Sequence, residues 1–280
     1  MSKIKNRNVL ITGGASGLGK LLGSTCLEKG ARNLVIWDVN EDVLYKTAAE
    51  LQAKGYNIHP YLVDVTDTAA VEEAAEDVID KLGTIDILFN NAGVVVGKDF
   101  EDHTAKDIDL TMQVNVSACM HVTRVFLPEM IRRERGHIIN IASAAGLIPN
   151  PKMSVYVASK WAVIGWSESI RIELEKAYHN MHVTTVMPGY IDTGMFEGVS
   201  PPLLMPMLKP KKIVNKIIKA VRYNDVFVQE PWIVKITPML RGFLPPRIFD
   251  FVAGDIFKVY DSMNKFVGHS SSKNIPREKK

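Results

Sequence analysis

Cysteine is nearly absent from this chain: Cys26 and Cys119 are the only two in 280 residues. Two cysteines cannot supply a disulfide framework, so both are expected to be buried free thiols in helices, in a reducing compartment. Metal chemistry has equally little to build on. The seven histidines are dispersed and no H-E-x-x-H pattern occurs, so no metal site is expected. No uncharged apolar run approaches the ~18 residues of a membrane span. The stretch from Met1 to Arg7 leads straight into an apolar strand with no long apolar region before it, and no signal peptide is read there. The expected location is cytoplasmic. A strong charge of one sign is also lacking. With 34 Lys and Arg against 31 Asp and Glu, the net charge of +3 and pI near 8.7 are too mild for a nucleic-acid partner. The positive excess is partly local, at Lys209, Lys211, Lys212, Lys216 and Lys219 and at the tail Arg277-Glu278-Lys279-Lys280. It reads as a solvated helix face and a frayed end, with an anionic membrane surface as the alternative.

What the chain has is an ordinary globular composition, 46% apolar and 23% charged, and a regular alternation of elements. Strands are expected at Val9–Thr12, Asn33–Asp38, Ile58–Val63, Asp86–Phe89, His137–Ala142 and Met181–Met187. Helical patterns separate them, with Asn40 and Asp67 placed as caps. The helical region from Ala105 to Arg133 reads as broken near its middle. Such alternation predicts an α/β fold: a Rossmann-like, doubly wound parallel sheet with helices on both faces. A single catalytic domain is expected over 1–268. Past Pro188 the pattern loosens. Pro201, Pro202, Pro206 and Pro210 crowd one stretch, so 190–210 reads as a lid loop, followed by a helix from Lys211 and a short edge strand at Val226–Gln229. Residues 231–268 form an apolar C-terminal extension, and 269–280 a disordered tail.

Thr12-Gly13-Gly14-Ala15-Ser16-Gly17-Leu18-Gly19 stands between the first strand and the first helix. Gly13 permits a sharp turn, Gly17 lets backbone approach a pyrophosphate, and Gly19 lets helix and strand pack closely. Ser16 and Leu18 sit at the helix N-terminus, whose free N–H groups favour phosphate. Turn-making alone is the bland account of these glycines. Asp38, nineteen residues after Gly19, ends the second strand and can accept hydrogen bonds from ribose hydroxyls. It would repel a 2′-phosphate, and no basic residue follows it, so NAD is favoured over NADP. Tyr156 and Lys160 stand four apart at the start of a helix, hence on one face. An ammonium beside a phenol should lower its pKa from about 10. Reaching neutrality takes roughly three units, about 4 kcal/mol. Such a tyrosine could exchange a proton with an alcohol oxygen.

These motifs together resemble the short-chain dehydrogenase/reductase family, in particular its 17β-hydroxysteroid and retinol dehydrogenase-like subgroup. They are T-G-x-x-x-G-x-G at 12–19, Asn90-Asn91-Ala92-Gly93, Ser143, the Tyr156/Lys160 pair, and Pro188-Gly189-Tyr190-Ile191-Asp192-Thr193. The resemblance implies that Tyr156 is the general acid/base, that Lys160 lowers its pKa and holds the nicotinamide ribose, and that Ser143 steadies the substrate oxygen. Asn115 would support a proton relay to the lysine. Asp64 and Val65 would contact adenine. Asn91, Ala92 and Gly93, with Asn90, would line the cofactor path. Ile191 and Thr193 would bind the carboxamide, and Pro188 and Gly189 would also belong to the cofactor site. Asn115 has a bland alternative, stabilising a helix kink, and Asp64 another, capping a loop.

The substrate is expected to be a lipophilic alcohol or its ketone or aldehyde, of steroid, retinoid or long-chain type. Met153, Val155, Tyr190, Met195, Phe196 and Leu203–Leu208 would line an apolar pocket. The bulky apolar residues of 231–268 read as core and subunit contacts, or as a weak peripheral membrane contact. The resemblance implies a homodimer or homotetramer pairing through helices around 107–132 and 155–177. A 3-ketoacyl-type reductase and a noncatalytic NAD-binding sensor or scaffold are the alternatives.

Overall fold

The computed structural model describes residues 2–267. The tail expected at 269–280, with its basic end, and residue 268 of the extension lie outside the described residues.

Among the described residues seven strands form one parallel sheet in the order β3-β2-β1-β4-β5-β6-β7. They are β1 Asn8–Thr12, β2 Asn33–Asp38, β3 Ile58–Leu62, β4 Ile87–Asn90, β5 Gly136–Ile141, β6 Met181–Pro188 and β7 Phe227–Glu230. Every residue of β1 is buried, as a central parallel strand covered on both faces requires. The side chains of β1 feed two cores alternately. Ile11 shares one core with Leu22, Leu44 and Ile217. Leu10 shares the other with Val71, Phe126 and Leu174. The first face is covered by α1 (Gly17–Glu28), α2 (Glu41–Gln52) and α7 (Pro210–Tyr223). The second is covered by α3 (Thr68–Leu82), α5 (Ala118–Arg132) and α6 (Ser154–Ala177). The chain reverses its direction of winding between β1 and β4, which opens a crevice at the C-terminal strand ends there.

The caps follow the residue chemistry. Asn40 accepts from the Val43 N–H, and Asp67 from those of Ala69 and Ala70. Thr104 and Asp107 close a capping box on α4 (Ala105–Met112). The expected break in the long helical region falls at Gln113–Ser117, a π-helical turn joining α4 to α5. Asn115 is its centre.

After β6 the chain is irregular to Lys209, held at its ends by pairing of Ile191 with Leu208. The extension comprises α8 (Ile233–Phe243), α9 (Pro246–Asp250) and a π turn over Phe251–Ile256. Of the eleven residues of α8 only Val234 is buried. Core packing therefore does not account for the apolar character of α8, whereas Phe249, Ala253, Val259 and Met263 farther along the extension are buried. Trp232 is 57% exposed and Phe243 82%.

Candidate active site

The glycine loop leaves β1 at the crevice. Gly13 and Gly17 adopt positive φ, at 60° and 48°, where a side chain would be strained. At Gly19 the constraint is contact: a Cβ there would stand 2.1 Å from the Gly13 carbonyl. Asn91 clamps the turn from β4, with Nδ2 donating to the carbonyls of Thr12 (2.9 Å) and Gly13 (3.0 Å). Thr12 Oγ1 in return accepts from the N–H groups of Asn91 and Ala92. Ser16 stands at the N-cap of α1, yet its side chain makes no capping bond, so the first-turn N–H groups remain open to an anion. Across the crevice, Thr193 Cβ lies 3.7 Å from where a Gly17 Cβ would project. A strip without side chains, an anion-binding helix end and an acidic residue at β2 fit a dinucleotide.

Asp38 has both carboxylate oxygens engaged. Oδ2 accepts from the Ala15 N–H at 3.0 Å and Oδ1 from that of Asn40 at 3.1 Å. It thus ties the glycine loop to the end of β2. Asp64 is exposed and accepts from the Thr66 N–H and Oγ1, the loop-capping alternative named above, while Val65 packs on the second core. Leu18 leans on the first core and Ile191 is buried in it.

Four polar residues converge beyond the glycine loop. Ser143 follows β5; its Oγ accepts from the Ala145 N–H at 3.1 Å and faces the Pro188 carbonyl at 3.5 Å. Tyr156 and Lys160 lie on the first turns of α6, both buried, with the ammonium 5.6 Å from the centre of the phenol ring. Lys160 Nζ donates to the Ile141 carbonyl at 2.9 Å. Asn115 does not touch Lys160 in hydrogen-bond terms. Its Oδ1 accepts from the Val94 N–H at 2.8 Å, and its Nδ2 donates to the Val94 carbonyl and to Ser159 Oγ, each at 3.0 Å. It pins the irregular segment after Gly93 to α6. A Cβ at Gly93 would stand 3.3 Å from Asn115 Oδ1 and 3.7 Å from Lys160 Nζ, so glycine keeps open the space between them. Asn90 points away from the crevice into a buried relay, donating to Thr123 and Asn140.

The expected fall in the Tyr156 pKa is not found. Burial pushes the phenol up to about 12, and only the neighbouring Ser143 hydroxyl draws it back. Burial also brings Lys160 down to about 8, offset weakly by Cys119. Sequence spacing places the pair on one face but is silent on desolvation, which disfavours both charged forms.

A cavity of about 30 Å³ adjoins Ser143, lined mainly by Met153, Tyr190, Phe196, Met205 and, from the extension, Val259. Phe196 packs edge-on against both Tyr156 and Tyr190. Met153, Tyr190, Phe196 and Met205 were legible as pocket residues. Val155 is buried but not on this cavity, and Leu203 and Leu204 turn to solvent. Asn150 and Val259 were missed; no motif marks them.

The match to known proteins agrees with this geometry. A model of the short chain dehydrogenase family matches residues 7–203. The chain belongs to that family. It is therefore an alcohol oxidoreductase, of a family that binds NAD or NADP. It is 36% identical over 264 residues to epidermal retinol dehydrogenase 2 of Mus musculus, covering 93% of this chain and 85% of that one. It is 31% identical over 256 residues to estradiol 17-beta-dehydrogenase 11 of Pongo abelii, with 91% and 85% covered. Among solved structures, a short-chain dehydrogenase/reductase from Burkholderia phymatum in complex with NAD superposes with a TM-score of 0.79 at 26% identity, over 86% of this chain and 95% of the other. Among the described residues no helix is long and apolar enough to cross a membrane, and no cluster could hold a metal ion.

Proposed function

We propose that this enzyme interconverts a lipophilic alcohol and its ketone or aldehyde with NAD(H), using Tyr156 as general acid/base. The observation that carries the reading is the convergence of Ser143, Tyr156 and Lys160 beside the glycine loop and an apolar cavity. A bound nicotinamide would supply hydride acceptance or donation. Gly13, Ser16, Gly17, Leu18 and Gly19 would hold its pyrophosphate, Asp38 the adenosine ribose, Asp64 and Val65 the adenine. Asn91, Ala92, Gly93, Pro188, Gly189, Ile191 and Thr193 would border the rest.

In oxidation Tyr156 takes the hydroxyl proton as the carbinol carbon gives up its hydride; in reduction it returns that proton. Ser143 has a hydroxyl proton committed only to a long contact with the Pro188 carbonyl, so it can turn to the reacting oxygen. Asn115 acts by positioning Val94 and Ser159 beside Lys160. Tyr156→Phe should still bind NADH by fluorescence titration while losing about 10²–10⁴-fold in turnover. Retained turnover would overturn the assignment.

The lipophilic choice rests on the cavity lining and on likeness to proteins named for retinol and estradiol. At about 30 Å³ the cavity is far below the several hundred Å³ of a drug-sized site. Admission of such an alcohol requires Phe196 and Met205 to swing out, which makes 190–210 a lid.

A peripheral contact with anionic membrane is favoured by the surface around this lid. Residues 198–249 hold nine Lys and Arg against Asp225 and Glu230, a local +7 in a chain of +3. Trp232, Met239, Phe243, Ile248, Leu203 and Leu204 are exposed within the same stretch. Leu203 is tied to the extension by its N–H to the Phe257 carbonyl, 3.0 Å. Apolar side chains set among an excess of cations suit a lipid interface. Isologous pairing of this face would bring like charges together, so homodimer or homotetramer contacts are assigned to α4, α5 and α6, where Leu110, Met120, Trp161 and Ile172 are exposed.

A further inference from the structure

Asn150 lies six residues before Tyr156, on the loop that also presents Ser143, and is 7% exposed. It lines the same cavity as Ser143. Its Nδ2 stands 3.1 Å from the Tyr190 hydroxyl, 3.2 Å from Ser262 Oγ and 3.5 Å from Met153 Sδ. Its Oδ1 is buried and has no hydrogen-bond partner among the described residues.

Proton accounting fixes which way this amide faces. Ser262 spends its only hydroxyl proton on the Val259 carbonyl, at 2.7 Å. The Tyr190 hydroxyl, 2.9 Å from Ser262 Oγ, must then donate to it. Neither oxygen has a proton left for Asn150. Turning the amide over would set a carbonyl against two acceptors, so Nδ2 takes that side and Oδ1 is the atom left without a partner. A buried acceptor left bare is costly, and native structures rarely keep one without use.

We infer that Asn150 Oδ1 is a second recognition point in the substrate pocket. It accepts a hydrogen bond from an O–H or N–H that the substrate carries away from its reacting carbon. This rests on the reading that Ser143 and Tyr156 hold the reacting oxygen. The apolar lining then takes the skeleton, and the preferred substrates are diols or hydroxyketones of lipophilic type rather than simple alcohols. The Ser262 link also makes the C-terminal extension part of the subsite, because it orients the amide.

The test compares decan-2-ol with the 2,4-, 2,5-, 2,6- and 2,7-decanediols, so that the distance to the second hydroxyl is scanned. With the full-length enzyme, kcat/KM for NAD-linked oxidation is measured, and thermal stabilisation by each alcohol is read separately in the presence of NADH. At least one diol should exceed decan-2-ol by roughly tenfold and raise Tm further. In Asn150→Leu that advantage should shrink below about twofold, in kcat/KM and in the Tm shift alike. Wild-type enzyme that shows no diol preference by either readout overturns the inference, whether or not the variant folds. So does a preference that survives in Asn150→Leu. A diol-selective Tm shift without oxidation of any alcohol would support the subsite and count against hydride transfer at Tyr156.

Discussion

Cofactor choice turns on one carboxylate whose surroundings allow a worked magnitude. Asp38 is half-buried at the end of β2, with both oxygens held by backbone N–H groups of Ala15 and Asn40. It cannot swing away from a 2′-phosphate without breaking those bonds. Two unit charges 4 Å apart interact by about 4 kcal/mol at an effective dielectric of 20. Half-exposure and salt reduce this to about 1.5–3 kcal/mol, or roughly ten- to 150-fold. The wild-type enzyme should therefore favour NAD over NADP by that factor in kcat/KM, and the preference should narrow as ionic strength rises. Asp38→Asn removes the charge and keeps one acceptor. The ratio should fall at least about tenfold, mostly through improved use of NADP. NAD itself should weaken slightly, because one loop-holding bond is lost. The assay is kcat/KM with each cofactor at fixed alcohol, repeated at two salt concentrations. A wild-type enzyme that uses both equally, or an Asn variant with an unchanged ratio, would refute the electrostatic argument.

Two further outcomes follow from packing and from surface charge. Gly19→Ala places its Cβ 2.1 Å from the Gly13 carbonyl and 2.9 Å from Gly14 Cα, backbone atoms that cannot step aside; a loss of about 2–3 kcal/mol and a Tm drop of roughly 5–10 °C should accompany loss of NADH binding. Gly165→Ala on α6 meets nothing within 4 Å and should leave Tm unchanged or slightly raised; equal behaviour of the two variants would dismiss the close-approach argument. In vesicle flotation, wild-type protein should float with phosphatidylserine-containing vesicles and not with neutral ones, and Trp232→Ser with Phe243→Ser should abolish this. Flotation unchanged by the double substitution would remove the membrane face.

Local signals carried most of the architecture into the sequence. Strand positions, the caps at Asn40 and Asp67 and the glycine loop each depend on a few neighbouring residues. The break in the α4–α5 region was visible only as an irregularity, because a π turn uses the same residue types as the helices around it. Its purpose becomes clear from Asn115, which reaches Val94 and Ser159 through contacts of sequence separation 21 and 44. Distance in sequence also hid the pocket. Asn150, Tyr190 and Ser262 form one knot from three separate segments, and nothing local to any of them announces the other two. The extension was legible as apolar, but not which part of it is exposed: α8 is, while Phe249, Val259 and Met263 are buried, and that division depends on what the rest of the fold leaves uncovered.

The Tyr156–Lys160 pair shows why spacing alone misjudges chemistry. Four residues on a helix place an ammonium near a phenol, and in water that proximity would favour phenolate. Here both groups are buried, and removal from water penalises each charge before proximity can reward the pair. The phenol is pushed up to about 12 and the amine down to about 8. The low dielectric also strengthens the effect of any further positive charge brought beside the ring. Tyr156 is therefore a resting acid, whose ionisation waits for such a charge. Without cofactor, the tyrosinate absorbance near 295 nm that distinguishes wild type from Tyr156→Phe should be absent through about pH 10. A Tyr156-dependent tyrosinate signal at pH 7–8 in cofactor-free protein would mean that Lys160 outweighs burial after all.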